Sequence, residues 1–372
     1  MDTYPPISRY IDEVNAMAMK RFIDITDFSR EELRETLNKI SYIRDNRSVY
    51  SKELSGKTII TAFYEDDPMM EISFNVSAAR MGGTVVPYRG IKGMPLREEA
   101  KMLSANGDAI VIRHPLRGAA RAMSLYSSIP VINAGDGGRA YPVRTLTDIA
   151  TVWQYKHHVS NMKIGFLGDF SDNAFVKGLL QCLNLYKGNE FYFISVNGKQ
   201  LNPDYVALMD KREKPFVVVN DLFDVLPQLD VLYVTKVTED NFNGEVEYET
   251  KKSNFILDER MLLVAKPDLV ILHPMPRGEE ISPEVDDDDR AIYFNSINIF
   301  NDVCVAAYTK TISNKSTRNV EPDFEEDTHD EICGKANCIT SQEAYLPSLF
   351  YEKTDGRMIC KYCGQELIKE DE

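Results

Sequence analysis

The sequence predicts an α/β protein: two doubly wound parallel-sheet domains followed by a small four-cysteine β domain. Three observations carry this expectation. Short apolar runs alternate with helical stretches from residue 57 onward, the pattern of parallel strands joined by crossover helices. The alternation restarts at "MKIGFLGDF" (162–170), which marks a second domain. Four of the six cysteines fall within the last forty residues, beyond a charged stretch without periodicity.

The elements follow in order. In "DFSREELRETLNKI", Ser29 and Glu32 have capping-box spacing ahead of apolar residues at helical intervals, so an early amphipathic helix is expected. Strand and helix pairs come next: "KTIITAFY" with "MEISFNVSAARM", "GTVVPY" with "PLREEAKMLSAN", "DAIVIRH" with "GAARAMSLYS", and "IPVINAGD" with "TLTDIATVWQY". The second series has "MKIGFLGDF" with "NAFVKGLLQCLNLY", then "EFYFISV", "FVVVND", "VLYVTKV" and "LVILHPMP". The expected boundaries are 1–150 for the first domain, 151–310 for the second, 311–330 for a linker and 331–372 for the cysteine domain. "GFLGDF" lacks the G-x-G-x-x-G spacing of a dinucleotide fold.

Composition narrows the function. A 372-residue chain that is 43% hydrophobic and 27% charged can bury a sizeable core. No run approaches the roughly 18 apolar residues of a membrane span, and "MDTYPPISRY" lacks signal-peptide character, so a cytoplasmic location is expected. A net charge of −15 argues against nucleic acid as a partner.

Cys182 and Cys304 stand alone in apolar helical contexts and read as buried thiols. Cys333 and Cys338 enclose four residues, Cys360 and Cys363 enclose two, and 21 residues separate the pairs. Four thiolates on tight turns can surround a Zn²⁺ ion, and a segment this short has little core of its own, so a structural zinc is expected. Two disulfides would need an oxidising compartment that nothing in the sequence indicates. With four sulfurs on the ion, no position remains open for catalysis.

The stretch "FYEDDPMMEISF" (63–74) bears most directly on function. An apolar strand runs into a helix there, and such junctions favour anions because free N–H groups and the helix dipole point outward. The junction instead carries Asp66, Asp67 and Glu71.

Six stretches taken together, "DAIVIRHPLRGAARA", "PVINAGDGG", "YPVRTLTD", "GFLGDF", "VLYVTKV" and "LHPMPRGEEI", resemble the catalytic chain of aspartate carbamoyltransferase from about residue 21 to 310. The tail resembles the zinc domain of that enzyme's regulatory chain. The resemblance implies two domains of the carbamoyltransferase type, one for carbamoyl phosphate and one for aspartate, in catalytic trimers with sites between subunits. Where the family grips phosphate with S-T-R-T-R, this chain has Asp67, Pro68, Met69, Met70 and Glu71, with Phe63, Glu65, Ser73 and Phe74 holding the register on both sides.

The family's H-P-T-Q-T appears as Tyr141, Pro142, Val143, Arg144 and Thr145; the arginine after "GD" aligns with Ala174; and T-R-V-Q is Thr235, Lys236, Val237 and Thr238. Lysine does not reproduce arginine's planar fork. Two unit charges ~5 Å apart repel by roughly 3 kcal/mol at an effective dielectric of ~20, so acids facing a phosphate oppose its binding. Pro68 also removes an N–H donor. Retained family positions are Lys92, Arg113 and His114, together with the prolines around Met275 in "HPMPR", where the Met275–Pro276 bond is a candidate cis peptide. Each has a structural reading: Arg113 paired with Asp67 or Glu71, His114 as a hydrogen-bonded core histidine, and Lys92 as a solvated loop residue.

The resemblance and its departures imply an aspartate carbamoyltransferase-like protein of pyrimidine biosynthesis that is non-catalytic, with a scaffold or regulatory role. The partners it implies are copies of itself, as a trimer or higher oligomer, and an active carbamoyltransferase paralogue. Lys92 is the residue the family lends to a neighbouring site, although Tyr88 replaces the accompanying serine. The alternative is an enzyme of altered substrate, in which Arg113, Arg144 and Lys236 take a different anion; residual carbamoyl transfer is a third reading.

Overall fold

The computed structural model describes residues 21–168, 170, 172–195, 201–210, 215–237, 244–312, 331–353 and 356–367. Thr238 and most of the expected linker therefore lie outside the described residues. The chain divides into two compact units, one of residues 1–143 with 300–372 and the other of residues 144–299.

The first unit is built on a parallel sheet of β1 (Arg21–Phe22), β2 (Thr58–Phe63), β3 (Thr84–Tyr88), β4 (Ala109–His114) and β5 (Val131–Asp136), in the order β1-β5-β4-β2-β3. β4 and β5 lie inside the sheet, and their apolar openings, Ala109–Ile112 and Val131–Ile132, are buried because both faces are covered. β3 is an edge strand and is partly exposed. The early helix spans Arg30–Asp45, and its expected capping box is present: Ser29 accepts from the Glu32 amide while Glu32 reaches back to the Ser29 amide. Further helices cover Pro68–Arg80, Leu96–Asn106 and Ala119–Tyr126.

The second unit repeats the plan with β6 (Lys163–Leu167), β7 (Glu190–Ile194), β8 (Phe216–Val219), β9 (Val231–Val234) and β10 (Val270–Leu272), all parallel, in the order β10-β9-β6-β7-β8. Phe166 stacks on Phe193 with ring centres 5.4 Å apart in the middle of this sheet. The helix Ala174–Asn184 follows β6 as the sequence predicts.

The expected boundaries at 150/151 and 310/311 differ from the unit divisions at 143/144 and 299/300. The physical reason at the second boundary is that the C-terminal half of the helix Ser296–Thr311 buries its apolar face in the first unit. Phe300 and Tyr308 both meet Phe74 edge-on at 6.0 Å, and Asp302 takes both arms of Arg47.

The four cysteines belong to a small lobe with an antiparallel pair, β11 (Phe350–Glu352) and β12 (Met358–Cys360). This lobe shares a core with the first unit: Leu346, Leu349, Phe350 and Tyr362 pack in one cluster with Leu96, Ala100, Ala119 and Met123. Backbone bonds add to the join, since Arg117 donates to Asn337 O at 2.9 Å and Ile339 donates back to Arg117 O at 3.0 Å. Glu343 caps the helix Leu96–Asn106 by accepting from the Leu96 amide at 3.1 Å, where Pro95 supplies no side-chain cap. At Gly118 (φ +84) a Cβ would lie 2.6 Å from the backbone of Tyr362, so only glycine allows this approach. Among the described residues, no helix is long and apolar enough to cross a membrane.

Candidate functional site

In the first unit, the junction after β2 is occupied by its own side chains. Asp67 is the N-cap of the helix Pro68–Arg80, accepting from the Met70 amide at 3.1 Å with Pro68 in the first turn. The carboxylate therefore takes up the helix end that would otherwise face an anion. Arg113, at the end of β4, points into the same place: its Nε lies 2.9 Å from Glu65 Oε1 and its Nη1 lies 3.4 Å from Asp67 Oδ2. Nη1 also donates to Ala134 O, and the guanidinium lies over the Tyr141 ring at 5.3 Å.

Glu71 does not join this group. It accepts from Arg89 Nη2 at 2.8 Å through both oxygens. Met70 is buried and Met69 is 38% exposed, and neither thioether brings a charged group to this junction.

His114 is held as a neutral ring. Its Nδ1 accepts from the Leu116 amide at 3.0 Å, its ring meets Tyr64 at 4.8 Å, and burial pulls its pKa down to about 4. The loop after β3 is fixed by a residue that sequence reasoning missed. Glu99 is 2% exposed and accepts from the hydroxyls of Tyr64 and Tyr88 and from the Ile91 amide. Burial and the Glu99 carboxylate push the Tyr88 hydroxyl well above its usual range. Lys92, on the same loop, is exposed.

In the second unit, Arg144 is 5% exposed and belongs to a buried network. Its Nε lies 3.0 Å from Asp148 Oδ1, its Nη2 donates to His273 O at 2.7 Å, and Tyr233 donates to Asp148 at 2.8 Å. His273 pairs with Glu280 at 2.6 Å. Ala174 opens its helix with a methyl group, and Asn173 caps that helix by accepting from the Phe175 and Val176 amides. Lys236 is exposed, and Met275 precedes Pro276 through a cis peptide bond. Arg113 and Arg144 are thus both held by carboxylates of their own units, which leaves Lys236 alone of the three cations set aside for a different anion. Arg144 and Asp148 stand four apart on one helix, a spacing that could have revealed the pair from the sequence.

The cysteine lobe is the other candidate site. Cys333, Cys338, Cys360 and Cys363 are buried, all four are free thiols, and their sulfurs lie within 4.8 Å of one another. The Cys333–Cys363 and Cys338–Cys360 separations are 3.7 and 3.9 Å, far from the ~2.05 Å of a disulfide. Such a cluster can hold a metal ion. Cys182 and Cys304, expected as buried thiols, are both buried.

Two family models match the chain: the aspartate/ornithine carbamoyltransferase carbamoyl-P binding domain over residues 20–154, and the Asp/Orn binding domain of the same family over residues 160–299. The aspartate carbamoyltransferase catalytic subunit of Clostridium novyi is 40% identical over 282 residues, covering 74% of this chain and 92% of the relative. That of Clostridium botulinum is 37% identical over 283 residues with the same coverage. Among solved structures, the catalytic subunit of the M. jannaschii aspartate transcarbamoylase superposes with a TM-score of 0.75 at 32% identity, covering 79% of this chain and 98% of that one. The Trypanosoma cruzi aspartate transcarbamoylase bound to N-(phosphonacetyl)-L-aspartic acid shares the fold, with a TM-score of 0.73 at 23% identity over 80% of this chain and 98% of that one.

Proposed function

The chain belongs to the aspartate/ornithine carbamoyltransferase family, and within it we propose an aspartate carbamoyltransferase-like scaffold or regulatory protein of pyrimidine biosynthesis that does not itself transfer the carbamoyl group. One observation carries this reading: Arg113 is bound by Glu65 and Asp67, and Asp67 caps the helix whose N-terminus would receive phosphate. A dianion entering there would have to displace the Asp67 carboxylate from its own helix cap and compete with Glu65 and Asp67 for Arg113. Replacement of the arginines by methionine and glutamate also removes the charge-assisted contacts that offset phosphate desolvation. The substitutions at Tyr141, Arg144, Ala174 and Lys236 act in the same direction.

Carbamoyl-aspartate formation at saturating carbamoyl phosphate and aspartate tests the proposal. The expected result is no product above background, with no calorimetric binding of carbamoyl phosphate. Turnover near the ordinary enzyme range of roughly 1 to 10³ per second would falsify it.

The proposed ion in the cysteine lobe is Zn²⁺ in a structural role. Tetrahedral Zn²⁺ with Zn–S bonds of ~2.3 Å places sulfurs about 3.8 Å apart, and the 3.7 and 3.9 Å separations fit that set. The ion would fix the turns that carry the four ligands and cross-link a lobe with little core of its own. We also assign the protein to a homo-oligomer, a trimer or higher, open to an active carbamoyltransferase chain. The exposed Ile72, Val86 and Ile91, near the edge strand β3, support this assignment. A monomer by light scattering that recovers no carbamoyltransferase chain from native extract would end it.

A further inference from the structure

This inference rests on the metal reading of the four cysteines and concerns what balances their charge. A divalent ion on four thiolates leaves two net negative charges, and each of the four cysteines is at most 3% exposed. Buried charge is stable only when it is paired and hydrogen-bonded. Inside the lobe, the Thr340 hydroxyl donates to Cys338 Sγ at 3.1 Å. That is a neutral donor, and it leaves the net charge in place.

A cation reaches the site from outside the lobe. Arg139, in the segment after β5, lies across the turn Lys361–Gly364 that carries Cys363. Its Nη2 donates to Lys361 O at 3.5 Å, and its Nε lies 3.8 Å from where a Cβ on Gly364 would stand. The far arm, Nη1, pairs with Asp24 Oδ2 at 3.0 Å, and the side chain is 12% exposed. Nε is buried and has no hydrogen-bond partner. A buried donor left without a partner costs about 1–3 kcal/mol, and the negative charges that surround this guanidinium are Asp24, Asp136 and Asp27 on its own unit and Cys363 in the lobe.

We propose that Arg139 is the counter-charge of the four-cysteine metal centre, placed by the first unit's own sheet to stabilise the bound ion from outside the lobe. The same residue ties the centre to the segment leading to Tyr141, and so to the wall against which Arg113 rests. Arg139 touches no ligand atom of the ion and acts by position and charge.

The test measures metal release from the full-length protein into a chromophoric chelator. Release from Arg139→Gln is expected to be about 10-fold faster or more, the range found when supporting partners of metal ligands are removed. Arg139→Lys, which keeps the charge but not the fork, should fall between wild type and Arg139→Gln. Asp24→Asn separates charge from fold: it breaks the same ion pair but leaves the guanidinium free for the site, so its release should be no faster than wild type. Release from Arg139→Gln at the wild-type rate, or from Asp24→Asn as fast as from Arg139→Gln, overturns the proposal. Should Arg139→Gln fail to fold, Arg139→Lys and Asp24→Asn decide: faster release from the lysine variant supports the proposal, and the reverse overturns it. A wild-type chain that carries no metal overturns the metal reading and this inference with it, whereas a metal-bearing wild type with unchanged Arg139→Gln overturns the inference alone.

Discussion

The junction after β2 and the cysteine lobe are both places where this chain concentrates polar side chains, and they dispose of them in opposite ways. At the junction, Asp67 caps its helix, Glu65 and Asp67 hold Arg113, and Glu71 holds Arg89, so the charges satisfy one another. In the lobe, four sulfurs face one another, the Thr340 hydroxyl donates to one of them, and repulsion among four thiolates would be relieved by an ion at their centre. A polar cluster that contains its own counter-ions needs no ligand, whereas one made of like donors does.

The largest test of that contrast is Cys360→Ser. Loss of one ligand should abolish stoichiometric metal binding and lower stability on the order of 5 kcal/mol, because the ion's binding energy becomes folding energy for the lobe. Elemental analysis together with thermal unfolding reads both. Next comes Gly118→Ala, which adds a methyl 2.6 Å from the Tyr362 backbone at φ +84. About 2–4 kcal/mol should be lost, with increased proteolysis of the lobe; unchanged stability would show that the join is looser than described.

A comparable effect follows pH at the junction. His114 titrates near pH 4 when folded and near 6.5 when unfolded, so the unfolded chain binds the extra proton. Stability is therefore full above pH 6.5 and falls as pH drops towards 4, by about 3 kcal/mol. In His114→Gln, denaturant midpoints measured across this window should flatten; if the slope persists, it has another source. The smallest effect belongs to Asp67→Ala, which removes the cap and costs about 1 kcal/mol, while Asp67→Ser restores a capping oxygen and should recover most of it. Equal losses in the two variants would mean that the ion pair with Arg113, rather than the cap, is what the carboxylate supplies.

Much of the fold was legible in the sequence for a physical reason: strands buried on both faces are continuous apolar runs, and their crossover helices carry period and caps. β4, β5, β6 and β9 and the capping box at Ser29 and Glu32 were all visible in this way. β1 was not, because two residues, Arg21 and Phe22, are too few to show a period. The four cysteines were legible by spacing alone. Among the residues of the junction, the pairing of Arg113 with Asp67 could be anticipated, but the parts played by Glu65 and Glu99 could not, since both depend on side chains that meet only after the sheet has formed.

By itself, then, the sequence determined the alternation of strands and helices, the acids Asp66, Asp67 and Glu71 at a strand-to-helix junction, and the set of four sulfurs, because these are matters of residue type and short-range spacing. Tertiary structure decided which charges meet. Arg89 rather than Arg113 takes Glu71, Glu99 anchors a loop through two tyrosines, and Arg139 reaches a cysteine turn more than two hundred residues away. It also decided that the cysteine lobe and the end of the helix Ser296–Thr311 pack into the first unit. Long-range contacts of this kind are set by shape, burial and the need to pair every buried charge, and no local pattern in the chain encodes them.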